Sequence, residues 1–326
     1  MTVAGRLAAR AEASDDAPRL DALIDRAEQL LARLEPLLPA PVAPDWSASI
    51  AYRWRRRRTA FGTSAALQPV PHPATLALAD LHNIDEQKRL VEQNTRQFVA
   101  GRPANNVLLT GARGTGKSSL IKACLNEFHA AGLRLIEVDK DDLVDLPDVV
   151  DAVAGRRERF VVYCDDLSFE AGEGGYKALK TVLDGSVAGQ ADNVLVYATS
   201  NRRHLMPEMM SENLQAKYQE DGEIHPGETS EEKISLSERF GLWVAFYPFR
   251  QDDYLTVVGH WLGHFGASAR QIEAARADAL RWTLERGSRS GRVAWQFARD
   301  WAGRHVKSGR SGSGKPPRRG GRPPRD

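Results

Sequence analysis

Apolar residues recur every three or four positions across residues 20–38: Leu20, Leu23, Ile24, Ala27, Leu30, Leu31, Leu34, Leu37 and Leu38. That spacing places one hydrophobic stripe along an α-helix. Pro36, Pro39, Pro41 and Pro44 then interrupt the pattern. A proline cannot donate the helical hydrogen bond, so an extended linker is predicted after the helix. The helix either packs back on the body or pairs with a partner. With fewer than three clean heptads, it is not read as a coiled coil.

From residue 107 the periodicity changes. Short apolar runs at 107–110, 134–139, 160–165, 194–199 and 242–247 read as buried strands, and helix-like segments separate them. The first such segment, 119–129, puts Leu120, Ile121, Cys124, Leu125 and Phe128 on one face. This alternation predicts an α/β fold: a five-stranded parallel sheet with helices on both faces. Beyond Pro248 only helical periodicity remains, at 252–265, 269–286 and 292–306, which predicts a small all-helical lid. The expected organisation is an N-terminal helix and linker over 1–45 and an extension over 46–106. A nucleotide-binding domain over 107–249, a lid over 250–306 and a tail over 307–326 complete it.

The run from Gly111 to Ser118 changes this picture from fold to chemistry. Gly111, Ala112, Arg113, Gly114, Thr115, Gly116, Lys117 and Ser118 fit the phosphate-binding template G-x-x-x-x-G-K-[ST] at every fixed position, between a predicted strand and a predicted helix that opens at Ser119. A glycine-rich turn lets successive backbone N–H groups wrap a phosphate at a helix N-terminus. Lys117 would neutralise β- and γ-phosphate charge. Ser118 would offer its hydroxyl to Mg²⁺, which prefers hard oxygen ligands. ATP and Mg²⁺ are therefore the expected ligands.

The strand at 160–165 ends in Asp165 and Asp166, as a Walker B element does. Asp165 is the metal candidate and Asp166 the candidate to orient and activate water, at the edge of the sheet where α/β ligands bind. Thr199, Ser200 and Asn201 follow the next strand, and Asn201 is the candidate amide for water or the γ-phosphate. Arg239 precedes the last strand and Arg292 opens the last helix; arginine's planar fork of donors suits the spread charge of a transferring phosphoryl group.

This set resembles the AAA+ ATPases, over about residues 76–303. The segments 105–111, 164–170, 199–205 and 290–292 look like a functionally uncharacterised bacterial branch, distantly similar to replication initiators and helicase loaders. The resemblance implies that Asn201 is the sensor 1 residue and Arg292 the sensor 2 residue of the lid. It also implies that Arg239 is an arginine finger offered to a neighbouring subunit, hence a homo-oligomer, and that His82, Asn83, Ile84 and Asp85 lie near the adenine. One position departs from the family: most members carry Asp-Glu at Walker B, where this chain has Asp165-Asp166. Aspartate is one methylene shorter, and Glu170 is a second candidate for the base. Nucleotide binding is thus more firmly expected than fast hydrolysis.

Charge and composition bound the partners. The 326 residues carry a net charge of +2, yet the segment from Lys307 to Asp326 alone carries +6, which leaves −4 for the rest. This Gly, Ser, Pro and Arg tail has no apolar anchor and is expected to be disordered, serving either weak contact with a polyanion or solubility. A second basic cluster, Arg53, Arg55, Arg56, Arg57 and Arg58 around Trp54, reads either as a nucleic-acid contact with a stacking aromatic, as a solvated face, or as partners for acidic residues. Cys124 and Cys164, the only cysteines, sit in apolar segments and read as core residues. No stretch is apolar enough for a membrane span or a secretory signal, so the expected location is the cytoplasm, with no membrane partner. Two functions follow: an ATPase that remodels or loads a protein or nucleic-acid client, or a nucleotide-dependent nucleic-acid-binding module with slow or no hydrolysis. A small-molecule kinase would leave Asn201 and the helical lid without a role.

Overall fold

The computed structural model describes residues 20–30, 32, 44–59, 62–169, 174–185, 191–201 and 236–306. Its centre is a mostly parallel sheet containing all five predicted strands, here β3 (Val107–Gly111), β4 (Leu133–Glu137), β5 (Arg159–Cys164), β6 (Val194–Ser200) and β7 (Leu242–Phe246). Two further strands extend it, β1 (Ala51–Thr59) and β2 (Gly62–Pro69), so the sheet has seven strands in the order β2-β1-β4-β5-β6-β3-β7. β1 pairs parallel with β4 and antiparallel with β2. The five-stranded expectation is therefore enlarged on one edge by a hairpin from the N-terminal extension.

The hairpin escaped the sequence reading because β1 is arginine-rich, a composition depleted in isolated strands. Its alternation is nonetheless that of a strand: Tyr52 and Trp54 are buried on one face while Arg53 and Arg55 point to the other. Each described arginine side chain finds an acid across the fold. Arg53 pairs with Glu137 at 2.6 Å, Arg55 with Asp139 at 2.8 Å and Arg56 with Asp145 at 2.6 Å. Trp54, only 6% exposed, donates its indole N–H to the Asp145 carboxylate at 3.0 Å. This corrects the nucleic-acid reading of the cluster where side chains are described. Trp54 cannot stack on a base, and Arg53, Arg55 and Arg56 are engaged within the fold.

Helices cover both faces of the sheet, as the continuous apolar strands require. One layer is formed by α1 (Asp85–Val99) and α2 (Lys117–Phe128), whose Val91, Phe98, Leu120, Ile121, Cys124 and Leu125 pack on Val107, Leu109, Val161 and Tyr197. On the other face, α3 (Leu146–Asp151) and α4 (Gly174–Asp184) bury Leu146, Val149, Leu179 and Leu183 against Leu108, Val162 and Val196. Cys124 and Cys164 are both buried free thiols, and burial pushes each up to about 12. Beyond β7, α5 (Gln251–His264), α6 (Ala269–Arg286) and α7 (Gly291–His305) enclose a third core around Tyr254, Leu262, Phe297 and Trp301. Ser268 and Ser290 cap α6 and α7 with side-chain oxygens that accept the Gln271 and Val293 amides.

Candidate functional site

β3 lies inside the sheet between β6 and β7, so its C-terminal end opens where neighbouring connections diverge. There the chain turns through Gly111 at φ 130°, where a Cβ would sit 2.0 Å from the Phe246 carbonyl oxygen. Only glycine fits that approach of β3 to β7. Gly114, at φ 76°, is equally constrained: a Cβ would meet the Ser290 hydroxyl of the helical region at 2.7 Å. The loop thus owes Gly111 to sheet packing and Gly114 to the helices above it.

α2 begins at Lys117, which is buried to 6% exposure. Its ammonium donates to the Gly111 and Ala112 carbonyls at 2.6 and 2.8 Å and to Asn201 Oδ1 at 3.0 Å. Burial lowers its pKa, opposed by the Asp165 and Asp166 carboxylates. One residue on, Ser118 Oγ donates to Asp165 Oδ1 at 2.8 Å. Thr199 Oγ1 donates to the same oxygen at 2.5 Å and accepts the Asp166 amide at 2.9 Å. Burial disfavours the charge on Asp165, but the hydrogen bonds from Thr199 and Ser118 help hold its carboxyl below the usual range. Asp165 is therefore a carboxylate over the whole neutral range.

Asp166 turns away into the left-handed region at φ 53°. Its carboxylate accepts from Asn201 Nδ2 through one oxygen and from Arg113 at 3.3 Å through the other. Ser200 ties the two strand ends together by donating to the Leu167 carbonyl at 2.8 Å. Lys117, Ser118, Asp165, Asp166 and Asn201, spread over 85 residues of chain, thus stand in one hydrogen-bonded group.

A cleft of about 590 Å³ opens over this group. Arg113, Gly114, Thr115, Gly116, Lys117, Ser118, Ser119, Asp165, Asp166, Asn201 and Arg292 line it, together with His82 and Ile84. Asp80, Thr199 and Gly291 also line it, and the other walls are apolar and aromatic: Leu76, Leu81, Phe249, Val257, Trp261 and Trp295. These last residues went unassigned in the sequence, since they come from three distant segments with no common motif. The helical region closes on the cleft at two places. The Arg292 amide approaches the Gly114 carbonyl at 3.4 Å, and Asn83 Nδ2 donates to the Asp253 carbonyl at 2.8 Å. His82 and His260 pack against each other beside the second contact, their rings tilted by 58° with centroids 4.2 Å apart.

Arg239 stands apart from this cleft, in the turn before β7, with Nε 2.6 Å from Asp184 Oδ1 of α4. Glu170 lies outside the described residues, as do the segment 202–205 and the basic tail. No group of three or more metal-binding His, Cys, Asp or Glu side chains occurs among the described residues. The donor set at the loop instead suits a cation that completes its shell with water and phosphate oxygens: one hydroxyl, one low-pKa carboxylate and a buried ammonium alongside. Bare glycine backbone beside that set fits a phosphate chain. No described helix is long and apolar enough to cross a membrane.

A parallel sheet with the phosphate loop on a strand between β6 and β7, two covered faces and a following helical region define a P-loop nucleoside triphosphatase fold of the AAA+ type. The chain belongs to the family described as "Protein of unknown function (DUF815)", whose model matches residues 47–305. No curated protein sequence matches it. Among solved structures, a chain of the HORMA:CdnC:Trip13 complex of E. coli MS115-1 is similar at 13% identity, covering 68% of this chain and 90% of that one, with a TM-score of 0.44. The Thermotoga maritima RuvB Holliday junction branch migration motor is similar at 12% identity over 69% and 72% of the two chains, with a TM-score of 0.39.

Proposed function

We propose that this protein binds ATP with Mg²⁺ in the cleft and hydrolyses it at an interface between copies, driving the remodelling or loading of a client in the cytoplasm. The single observation that carries the reading is the hydrogen-bonded group in which Lys117, Ser118, Asp165, Asp166 and Asn201 converge at one end of the sheet. In this reading the loop amides from Gly111 to Ser119 hold the phosphate chain and Lys117 exchanges its loop carbonyls for phosphate oxygens. Ser118 and Asp165 hold the cation, which when bound supplies charge neutralisation across the β- and γ-phosphates. Asp166 accepts the proton of the attacking water, and Asn201, already bonded to both Asp166 and Lys117, fixes where that water sits.

Arg292, on the N-terminal turn of α7 and in the cleft lining, reports the γ-phosphate to the lid, residues 250–306. The apolar walls, with His82 and Ile84, take the base. Arg239 lies outside its own subunit's cleft, so its guanidinium serves a neighbour, which makes the site intersubunit. The paired state of Arg53, Arg55 and Arg56 favours this reading over a nucleic-acid module.

Asp166→Asn tests the assignment. ATP turnover is expected to fall at least about 100-fold, while nucleotide affinity stays within about threefold, because general-base catalysis is lost without loss of phosphate contacts. Wild-type turnover in Asp166→Asn together with an inactive Glu170→Gln would transfer the role to Glu170.

A further inference from the structure

The helix at residues 20–30 carries an apolar face that the fold leaves uncovered. Leu20, Leu23, Ile24 and Leu30 are 59, 65, 48 and 53% exposed and share one face of the helix, a contiguous apolar patch of the kind that marks an interaction surface. The described residues 20–30 also follow a heptad spacing. Leu20 and Ala27 share position a, Leu23 and Leu30 position d, and Ile24 takes position e. An a, d and e stripe is about 100° wide, broader than a two-stranded seam and suited to a bundle.

The two borders of the stripe carry opposite charge. On the d side the flanking position g holds Arg26; on the e side position b holds Asp21 and Glu28. When two such helices face each other in parallel, the g border of one meets the e and b border of the other, so arginine meets acid. When they run antiparallel, like borders meet and repel. The pattern therefore selects its own occupant and its direction.

We propose that this helix joins copies of the same chain in a parallel bundle, through its leucine stripe and an arginine-to-acid contact between neighbouring borders. Pro36, Pro39, Pro41 and Pro44 follow the helix in the sequence. In a cyclic assembly, helices that run along the rotation axis are parallel, so the bundle is compatible with an assembly that shares Arg239 but does not depend on it.

The test compares the sedimentation of full-length chains at micromolar concentration without nucleotide. Wild type is expected to associate, and Leu23→Glu with Leu30→Glu to weaken association at least about 100-fold, since each buries a charge in the stripe. Both leucines are exposed in the single chain, so the variant is expected to keep a cooperative melting transition. Arg26→Glu is expected to weaken association about threefold or more, and Arg26→Glu with Glu28→Arg to restore it to within about twofold. A monomeric wild type, or a leucine variant of wild-type size, would overturn the proposal. Identical behaviour of wild type, Arg26→Glu and the exchanged pair would overturn the parallel arrangement. ATP-induced association that survives in the leucine variant belongs to the Arg239 interface, so the two ideas fail separately.

Discussion

Gly111 shows how closely packing constrains one residue of the loop. Its φ of 130° and the Phe246 carbonyl 2.0 Å from any added Cβ leave no room for alanine. Gly111→Ala is expected to destabilise the fold by about 2 kcal/mol or more, measured by chemical denaturation, because the backbone strain adds to a clash with another strand's main chain. The loop residues themselves were legible from sequence, since their template is contiguous and each position has a local chemical reason. Asp165 and Asp166 were legible too, as polar residues ending an apolar strand. What sequence could not show is how the structure distinguishes them. Asp165 is held by Thr199 and Ser118, whereas Asp166 turns outward to Asn201 and Arg113.

Elements were readable in proportion to how much their pattern owed to their own burial. The five strands from β3 to β7 and the helices α5, α6 and α7 declared themselves through continuous or periodic apolar positions. β1 did not, because its arginines are stabilised by Glu137, Asp139 and Asp145, which lie more than eighty residues further on. Between elements, the helical region is tied to the segment before α1 through Asn83 and the His82–His260 pair. Burial lowers the His82 pKa, and the neighbouring His260 and Lys88 act in the same direction, against Asp80 and Asp85. A histidine depressed on folding contributes stability that is present above its unfolded pKa of about 6.5 and is lost as pH falls through the lower folded value. Hydrogen-exchange protection of α5 is thus expected to fall as the pH is lowered from 7 to 5, and His82→Gln to flatten that dependence. An equally steep loss in His82→Gln would place the titrating group elsewhere.

For the whole molecule, the decisive question is whether the site is shared between copies. Lys117→Ala and Arg239→Ala are each expected to lose at least about 100-fold in turnover, the first through the phosphate site and the second through its neighbour. Mixed in equal amounts and allowed to exchange, they should recover about a quarter of wild-type turnover, because one interface in four then combines an intact loop with an intact arginine. No recovery would mean that Arg239 acts within its own subunit or only through Asp184. The sequence by itself determined the glycine-rich loop motif, five of the strands and the helices beyond Pro248, because each is encoded by neighbours in the chain. Only the tertiary structure decided that Trp54 and three arginines belong to the sheet, that aromatic residues from distant segments wall the cleft, and that Arg239 stands outside it. Those outcomes depend on contacts between residues far apart in sequence, and no local spacing records them.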